Sequence, residues 1–223
     1  EARVDADSSL HLVETITYDF QGEYRHGIFR DIPLYDDLGL GKRREYGIEV
    51  GAVTMDGQAV PVFESDVDAF RRLQIGHPNR TITGPHTYVI EYTVRDALRV
   101  ITPADVDDPA FPAGVEPGDV ELYWDFVGSG WKVPIAAALT RVSGPGAVLS
   151  ARCYFGPADG TEQCRAEVDQ DRARLGPVSL WPGEALTGAI TFPASAFIAA
   201  PRENVRQGLP SAPLTGDGLA LLP

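Results

Sequence analysis

The 223-residue chain lacks any run of 18 apolar residues, and its first residues, EARVDADSS, lack the charged and then apolar pattern of a signal peptide. The first absence excludes a membrane-spanning helix within the sequence. The second leaves room for a signal peptide that has already been removed. Any membrane attachment is therefore expected to come from segments outside these 223 residues.

Basic residues are also scarce. The chain has 19 Lys and Arg against 32 Asp and Glu, which gives a formal net charge of −13 at pH 7. A partner with a phosphate backbone needs a basic stripe on the protein, and the basic residues here are scattered among acids. Nucleic acid is thus excluded as the expected partner, and anionic membrane surfaces are disfavoured for the same reason.

Cysteine and histidine are the next shortages, with two and four residues. Cys153 and Cys164 are separated by ten residues that include Gly-Pro and Asp-Gly steps, a pattern typical of a turn between strands. A disulfide here would stabilise the fold by about 3 kcal/mol and would indicate an oxidising compartment. No histidine lies close enough in sequence to complete a metal site, so we expect no metal and no cofactor.

Glycine and proline, by contrast, are abundant, with 23 and 18 residues that favour many turns. Strand patterns and turn signals alternate about every ten residues. We therefore predict an all-β fold, an antiparallel β-sandwich built as one extended super-sandwich or as two packed sandwich subdomains. The expected parts are a first half at 1–100, an acidic, proline-rich connector at 101–119, a second half at 120–198 and a flexible linker at 199–223.

The stretch 118–134, GDVELYWDFVGSGWKVP, carries the densest group of aromatic residues. Its inward positions include Trp124, its outward positions include Tyr123, and Trp131 follows a Gly-Ser-Gly turn. We predict a hairpin whose two tryptophans stack across strands. One alternative stays open, in which an exposed indole forms a stacking platform for a sugar or a peptide.

An acid falls on the inward face of the alternating segment LHLVETITYDF, at Glu14. A buried carboxylate needs a partner, and Arg30 lies among inward residues of the next segment. We predict a buried Glu14–Arg30 pair that holds the first strands in register, with a ligand-gripping site as the alternative. His26 is a further candidate base or ligand, although no second histidine and no nucleophile lie near it in sequence.

Two acidic groups offer other chemistry. Glu121 and Asp125 share the outward face of one strand, and they could act as the carboxylate pair of a glycosidase. Four residues of strand separate their backbones by roughly 13 Å, more than the usual spacing of such carboxyl groups. Asp105, Asp107 and Asp108 in the connector could hold calcium, but a solvated loop is favoured because the glycine and distal glutamate of a calcium loop are missing.

Taken in order, the motifs VETITYDF at 13–20, HGIFRDIP at 26–33, TGPHTYVIEYTV at 83–94 and ELYWDFVGSGWKVPI at 121–135, with the paired cysteines, form one pattern. The chain resembles the extracytoplasmic domain of YciQ-like predicted bacterial membrane proteins, a domain of unknown function (2207). The resemblance covers roughly residues 1–198. It implies a signal peptide before Glu1, one or more membrane spans beyond Pro223 and a place outside the cytoplasmic membrane, and it implies no known reaction.

A second resemblance is confined to the fold. The WKVPI segment after a tyrosine-containing strand is similar to the amino-terminal β-saddle of some zinc aminopeptidases, whose HExxH zinc motif is missing here. Two functional hypotheses follow. The first is a non-enzymatic, membrane-anchored binding or interaction module for a ligand or protein of the cell envelope. The alternative is a cell-envelope hydrolase of the glycosidase type.

Overall fold

The fold is all-β, as predicted. A computed structural model describes residues 1–109, 111–158, 160 and 162–207. The strands of the first half are β1 (Ala2–Val4), β2 (Leu10–Asp19), β3 (Gly27–Pro33), β4 (Tyr35–Gly39), β5 (Lys42–Glu45), β6 (Gly47–Met55), β7 (Gln58–Ala59), β8 (Val62–Val67), β9 (Phe70–Gly76), β10 (Pro85–Arg95) and β11 (Leu98–Val100). The later strands are β12 (Val120–Val127), β13 (Ile135–Ser143), β14 (Ser150–Gly156), β15 (Glu162–Gln163), β16 (Ala166–Asp169), β17 (Arg172–Leu180), β18 (Ala185–Phe192) and β19 (Val205–Gln207). A short helix, α1 (Pro103–Val106), and a 3₁₀ turn, Ala194–Ala196, complete the described elements.

Four sheets assemble from these strands. The largest has eight strands in the order β16-β17-β13-β1-β2-β10-β6-β7, and a five-stranded sheet has the order β11-β12-β18-β14-β15. Two three-stranded sheets, β19-β5-β4 and β3-β9-β8, complete the set. The pairing is antiparallel except between β1 and β13. Buried side chains of the large sheet, the five-stranded sheet and the β3 sheet form one hydrophobic core.

Period-2 alternation sets which side chains enter this core. On β10, Tyr88, Ile90, Tyr92 and Val94 are all buried, whereas their neighbours along the strand are more exposed. β2 shows the same alternation, and β12 shows it from Leu122 onward, with Glu121 buried as well. The predicted inward faces are therefore confirmed on all three strands.

The large sheet takes strands from both sides of the connector. β1, β2, β6, β7 and β10 precede residues 101–119, and β13, β16 and β17 follow them. The five-stranded sheet likewise includes β11 from before the connector. The two halves of the sequence thus share their sheets, which is the arrangement of one extended sandwich, while the predicted domain boundaries stay a prediction.

The predicted tryptophan hairpin is wrong. β12 pairs with β11 and β18, whereas β13 pairs with β1 and β17, so residues 128–134 carry the chain from one sheet to another. Alternation shows that a segment is a strand, but it does not say which strand lies beside it. Pro134 also lacks the N–H that a hairpin ladder would use next to the turn.

The structure contains the predicted disulfide, between Cys153 on β14 and Cys164 just after β15. The tail differs from the expected linker, because residues 205–207 form β19 beside β5; positions 208–223 lie outside the described residues. Within the described part of the chain, no helix has the length and apolar character needed to cross a membrane.

Candidate functional site

A cleft opens in the large sheet beyond the amino-terminal end of β1. β1 lies between β2 and β13 but pairs only with residues 10–12 of the first and 142–143 of the second. Residues 14–19 of β2 and 135–141 of β13 continue past it, and no described strand fills the space between them. This β2–β13 cleft has a volume of about 1110 Å³, slightly above the usual range of about 300–1,000 Å³ for ligand sites.

The Glu14–Arg30 pair lies in the β2–β13 cleft, and its predicted contact is confirmed. Arg30 donates from Nε to Glu14 Oε2 at 2.7 Å and from Nη2 to Glu14 Oε1 at 2.6 Å, a bidentate arrangement. The Tyr92 hydroxyl donates to Glu14 Oε1 at 2.5 Å. Arg30 also donates from Nη1 to the carbonyl oxygen of Asp31. The Arg30 side chain is 6% exposed and the Glu14 side chain 14%, so solvent reaches little of this pair.

Burial and neighbouring charges shift the pKa values of Tyr92 and Arg30. Burial raises the pKa of Tyr92 well above its ordinary value, and the Glu14 carboxylate raises it further. Burial, the largest single influence, would lower the pKa of Arg30, but the charges of Glu14, Tyr92 and Asp31 and the hydrogen bond to Glu14 together outweigh it, so the pKa is raised. Tyr92 is therefore a neutral hydrogen-bond donor and Arg30 a fixed cation, which suits them to hold Glu14 rather than to transfer protons.

The apolar lining of the β2–β13 cleft includes Ile16, Phe126 and Trp131. Trp131 is 8% exposed and its carbonyl accepts a hydrogen bond from the N–H of Gly183 at 2.9 Å. The sequence singled out Trp131, but it gave no signal that this residue, Glu14 and Arg30 would share one cleft.

The other tryptophans lie elsewhere. Trp124 is buried against Tyr46, with ring centroids 5.2 Å apart and an edge-to-face geometry. Neither Trp124 nor Trp131 is therefore the exposed indole that the alternative interpretation required; Trp181 is the highly exposed tryptophan, at 73%. Sequence reasoning missed Trp181 because it belongs to a Trp-Pro-Gly turn with no strand pattern around it.

Tyr123 occupies the outer face of β12, as predicted, and is about half exposed. Asp125 lies on the same face and accepts a hydrogen bond from the Thr187 hydroxyl at 2.5 Å. Surrounding protein atoms raise the pKa of Asp125 although part of its side chain still reaches solvent. The pKa of Asp36 is raised as well, first by burial and further by the charge of Asp125. Asp36 and Asp125 are thus two acids with mutually unfavourable charges, outside the β2–β13 cleft.

The carboxylate pair predicted for a hydrolase is not available. Glu121 is 2% exposed and binds Arg99 through Oε2 at 2.7 Å and Arg152 through Oε1 at 2.7 Å. Both of its oxygens are thus held by guanidinium groups, and only Asp125 of the pair reaches solvent. The expectation that Glu121 is an outward, accessible acid is wrong because neighbouring strands and the connector cover that face.

His26 is not among the residues that line the β2–β13 cleft. Its Nδ1–H points at the carbonyl oxygens of His77 and Arg80, at 2.9 and 3.0 Å, so it ties β3 to the loop after β9. These contacts are those of a structural histidine, and they leave the candidate catalytic role of His26 without a partner group in the described structure.

The connector acid Asp105 is engaged in structural contacts. It accepts a hydrogen bond from the backbone N–H of Thr102 at 2.8 Å, which is part of a capping box on α1, and another from Arg99 at 2.8 Å. Across the described ranges, no group of three His, Cys, Asp or Glu side chains could hold a metal ion.

Fold and site together define a class: an all-β sandwich domain with a strand-edged cleft in its largest sheet. Family comparison then places the chain. The model described as "Predicted membrane protein (DUF2207) N-terminal domain" matches residues 1–192, so this chain belongs to that family, whose function is unknown. The resemblance inferred from the motifs is thereby confirmed.

Solved structures similar to this chain include a hydrolase and a zinc metallopeptidase. Yeast LTA4 hydrolase in complex with bestatin matches with a TM-score of 0.49 and 12% identity, over 86% of this chain and 27% of that one. The M1 zinc metallopeptidase from Deinococcus radiodurans matches with a TM-score of 0.43 and 15% identity, over 83% of this chain and 39% of that one. This chain therefore spans well under half of either structure, and similarity at this level supports no inference about its activity. A comparison with curated proteins found no match.

Proposed function

We propose that this chain is the extracytoplasmic binding module of a membrane protein and that it receives its ligand in the β2–β13 cleft. The observation that carries the proposal is the cleft itself, which combines a volume of about 1110 Å³ with an apolar wall and the Glu14–Arg30 pair. Large, partly apolar clefts with a few convergent polar groups are the usual form of binding sites.

Two further observations support the location. The family is described as the amino-terminal domain of predicted membrane proteins. The disulfide between Cys153 and Cys164 favours an oxidising compartment, because thiols in the cytosol are kept reduced. The proposed partner is accordingly a ligand or a protein of the cell envelope, with the membrane anchor supplied by segments outside this chain.

Binding is favoured over hydrolysis by the state of the acids. Glu121 is held by two arginines and Glu14 by Arg30 and Tyr92, so neither carboxylate is poised to exchange a proton with a substrate. A general acid or base must lie within hydrogen-bond reach of the reacting group. The two acids whose pKa values are raised, Asp36 and Asp125, are not among the residues that line the β2–β13 cleft.

A binding screen tests the proposal. The probes are muropeptides, β-glucan and chitin oligosaccharides, and a displayed library of random nine-residue peptides, with calorimetry as the readout. Wild type is compared with Trp131→Phe, which alters the cleft wall, and with Trp124→Phe, the same change outside the cleft. We expect at least one probe to bind wild type and Trp124→Phe alike and to bind Trp131→Phe at least fivefold more weakly. If no probe binds, or if all three proteins bind every probe equally, the β2–β13 cleft is not the site of a binding module.

A further inference from the structure

The hairpin of β4 and β5 carries two exposed leucines at its turn, within residues 38–42, which we call the β4–β5 tip. Leu40 is 98% exposed and Leu38 is 42% exposed. Gly39, between them, has open space where a side chain would be. Single exposed apolar side chains are normal on a soluble domain. Here two of them lie within three residues at the end of one hairpin, so the β4–β5 tip is a small, fully accessible apolar surface.

The backbone conformation of Leu40 is unfavourable for a leucine. Gly39 pairs with Lys42, so Leu40 and Gly41 form a two-residue connection, and their φ angles are +52° and +72°. Such connections favour Asn, Asp or Gly, because a larger side chain at positive φ crowds its own backbone. Leu40 therefore costs stability at this position, and at 98% exposure it recovers none of that cost by packing.

Other turns of the described structure follow the usual preference. Apart from Leu40, the non-glycine residues with positive φ are all polar, namely Ser8, Gln21, Asp56, Asp68, Asp96 and Gln170. An apolar residue takes such a position only at the β4–β5 tip, among the residues that the structure describes. A backbone outlier whose cost the fold does not recover is a reason to look for a function at that residue.

The described chain leaves the domain beside the same tip. β19 pairs antiparallel with β5, with Val205 opposite Arg44 and Gln207 opposite Lys42. The chain has therefore reached the level of the tip at Gln207, and positions 208–223 follow it in sequence. The family is described as an amino-terminal domain of predicted membrane proteins. A membrane anchor that follows an amino-terminal domain is reached from its carboxyl side, which is the side of the β4–β5 tip.

Local charge at this sheet differs from that of the whole chain. A net charge of −13 disfavours contact with an anionic bilayer. The strands β4, β5 and β19 together carry four basic side chains and three acidic ones: Lys42, Arg43, Arg44 and Arg206, and Asp36, Asp37 and Glu45. Lys42, next to the turn, is exposed, and its long side chain can keep the ammonium group at lipid headgroups while the turn lies deeper. The charge that opposes membrane contact is thus absent from this sheet.

Resting on the membrane attachment in the proposed function, we propose that the β4–β5 tip inserts Leu38 and Leu40 into the interfacial layer of the lipid bilayer, with Lys42 at the headgroups. The exposed leucines gain free energy when they leave water. Two leucines bury too little apolar area to hold a free domain on a membrane. In the anchored protein, however, the tip stays near the bilayer, so a weak affinity acts at a high effective concentration. The contact orients the domain on the membrane, and with it the opening of the β2–β13 cleft.

The shape of the β4–β5 tip favours lipid over a folded protein partner. Binding hot spots between proteins lie in well-packed centres that are surrounded by further contacts. Residues 37–40 and Lys42 are all exposed at the end of a narrow hairpin, which offers no apolar surround for such a centre. A bilayer adapts to an apolar tip of any shape.

The test imitates the anchor. The 223-residue chain is tethered through a carboxyl-terminal histidine tag to phosphatidylcholine vesicles that contain a nickel-chelating lipid. Leu38→Cys carries the environment-sensitive fluorophore NBD, since the native cysteines are paired with each other. We expect tethering to raise NBD emission at least twofold and to shift it to shorter wavelength, and we expect doxyl-labelled lipid to quench it.

A second labelling position is the control. Asp68 is an exposed residue of positive φ in the turn between β8 and β9. Its neighbour Ala69 accepts a hydrogen bond from the N–H of Leu34, at the base of the β4–β5 hairpin. The five residues of β4 place this base roughly 17 Å from the tip. NBD on Asp68→Cys should therefore not respond to tethering.

Leu40→Asn separates a membrane role from a role in folding. Asparagine is favoured at positive φ in this turn, so we expect a thermal midpoint equal to or above that of wild type, while the NBD response at position 38 falls by at least half. Leu149→Asn makes the same change at a leucine that is 39% exposed outside the tip, and it should leave the response unchanged. Neither residue lines the β2–β13 cleft, so both variants should bind cleft probes like wild type, and the two proposals fail separately.

Four results would overturn the proposal. No NBD response at position 38 on tethered vesicles means that the tip does not enter the bilayer. Equal responses at positions 38 and 68 mean general adsorption of the domain. A thermal midpoint of Leu40→Asn below that of wild type means that Leu40 serves the fold. In the full-length protein in lipid nanodiscs, NBD at position 38 that is shielded from water but not quenched by doxyl-labelled lipid means that a protein surface, rather than lipid, covers the tip.

Discussion

Arg30→Met is the sharpest test of how β2 is held in place. The substitution keeps an unbranched side chain of similar length and removes the charge that faces Glu14. In the native structure Arg30 donates two hydrogen bonds to Glu14, at 2.7 and 2.6 Å. Methionine replaces neither bond, so Glu14 keeps only the Tyr92 hydroxyl.

The expected loss follows from what is left behind. Glu14 is 14% exposed, so water cannot fully solvate the uncompensated carboxylate. Removing one partner of a buried ion pair costs about 3–5 kcal/mol. We therefore expect Arg30→Met to lower the free energy of unfolding by about 3 kcal/mol or more, a large part of the roughly 5–15 kcal/mol that stabilises a typical domain.

Urea unfolding followed by tryptophan fluorescence measures this loss without the screening that a salt denaturant introduces. A double-mutant cycle with Glu14→Gln isolates the pair, because glutamine keeps a carbonyl oxygen for the Tyr92 hydroxyl. The double variant should lose less stability than the sum of the single losses, with a coupling energy of about 0.5–3 kcal/mol. A loss below about 0.5 kcal/mol for Arg30→Met, or a coupling energy of zero, would refute the reasoning.

Three other predictions follow from single contacts. Burial raises the pKa of Asp125 above its ordinary value of 3.8, so the folded state binds the proton more tightly than the unfolded state does. Stability therefore falls as the pH rises from the unfolded-state pKa through the folded-state pKa. Asp125→Asn should be more stable than wild type at neutral pH, and unfolding curves measured in acid should show no difference between the two. Replacing Cys153 and Cys164 together by alanine should lower the unfolding free energy by about 3 kcal/mol in the same urea assay, because the bridge closes a short loop. A Cβ on Gly27 would lie 1.9 Å from a backbone carbonyl at a φ of +147°, so Gly27→Ala should lower the thermal midpoint clearly, whereas Gly128→Ala, with open space around it, should not.

Local patterns were enough to predict the strands and the buried pair. The alternation in β2 put Glu14 on a face of Leu, Ile and Tyr, and a lone acid there requires a cation. Arg30 was the candidate because it stood among inward isoleucines. Both inferences depend on residues close in sequence, where period 2 alone fixes the face.

The β2–β13 cleft could not be predicted in the same way. Its walls are β2 and β13, which lie on either side of β1 although more than a hundred residues separate them in sequence. Nothing in the local pattern of β13 says that its neighbour will be the first strand of the chain. The same limit produced the wrong tryptophan hairpin, since the turn between β12 and β13 had local signals but the partners are distant.

Glu121 shows a second limit of periodicity. Its position on the face opposite Leu122 and Trp124 was predicted correctly, but that face is covered at Glu121 and open only further along, at Tyr123 and Asp125. Arg152 reaches Glu121 from β14, and the ring of Phe111, from the connector, stacks on its guanidinium with a centroid distance of 5.0 Å. Alternation sorts residues between two faces, and only tertiary packing decides whether the second face meets water.

The satisfied state of the Glu14–Arg30 pair also bears on how the β2–β13 cleft recognises its ligand. An arginine that gripped an anionic ligand would need free donors directed into the cleft, whereas two of the Arg30 nitrogens bind Glu14 and a third binds the carbonyl of Asp31. Breaking those contacts for a ligand would expose Glu14 to the cost that Arg30→Met measures. The pair is therefore better suited to fix the position of β2 than to bind a ligand. Recognition is left to the apolar wall of the cleft, which is why Trp131→Phe tests it more directly than a change of charge.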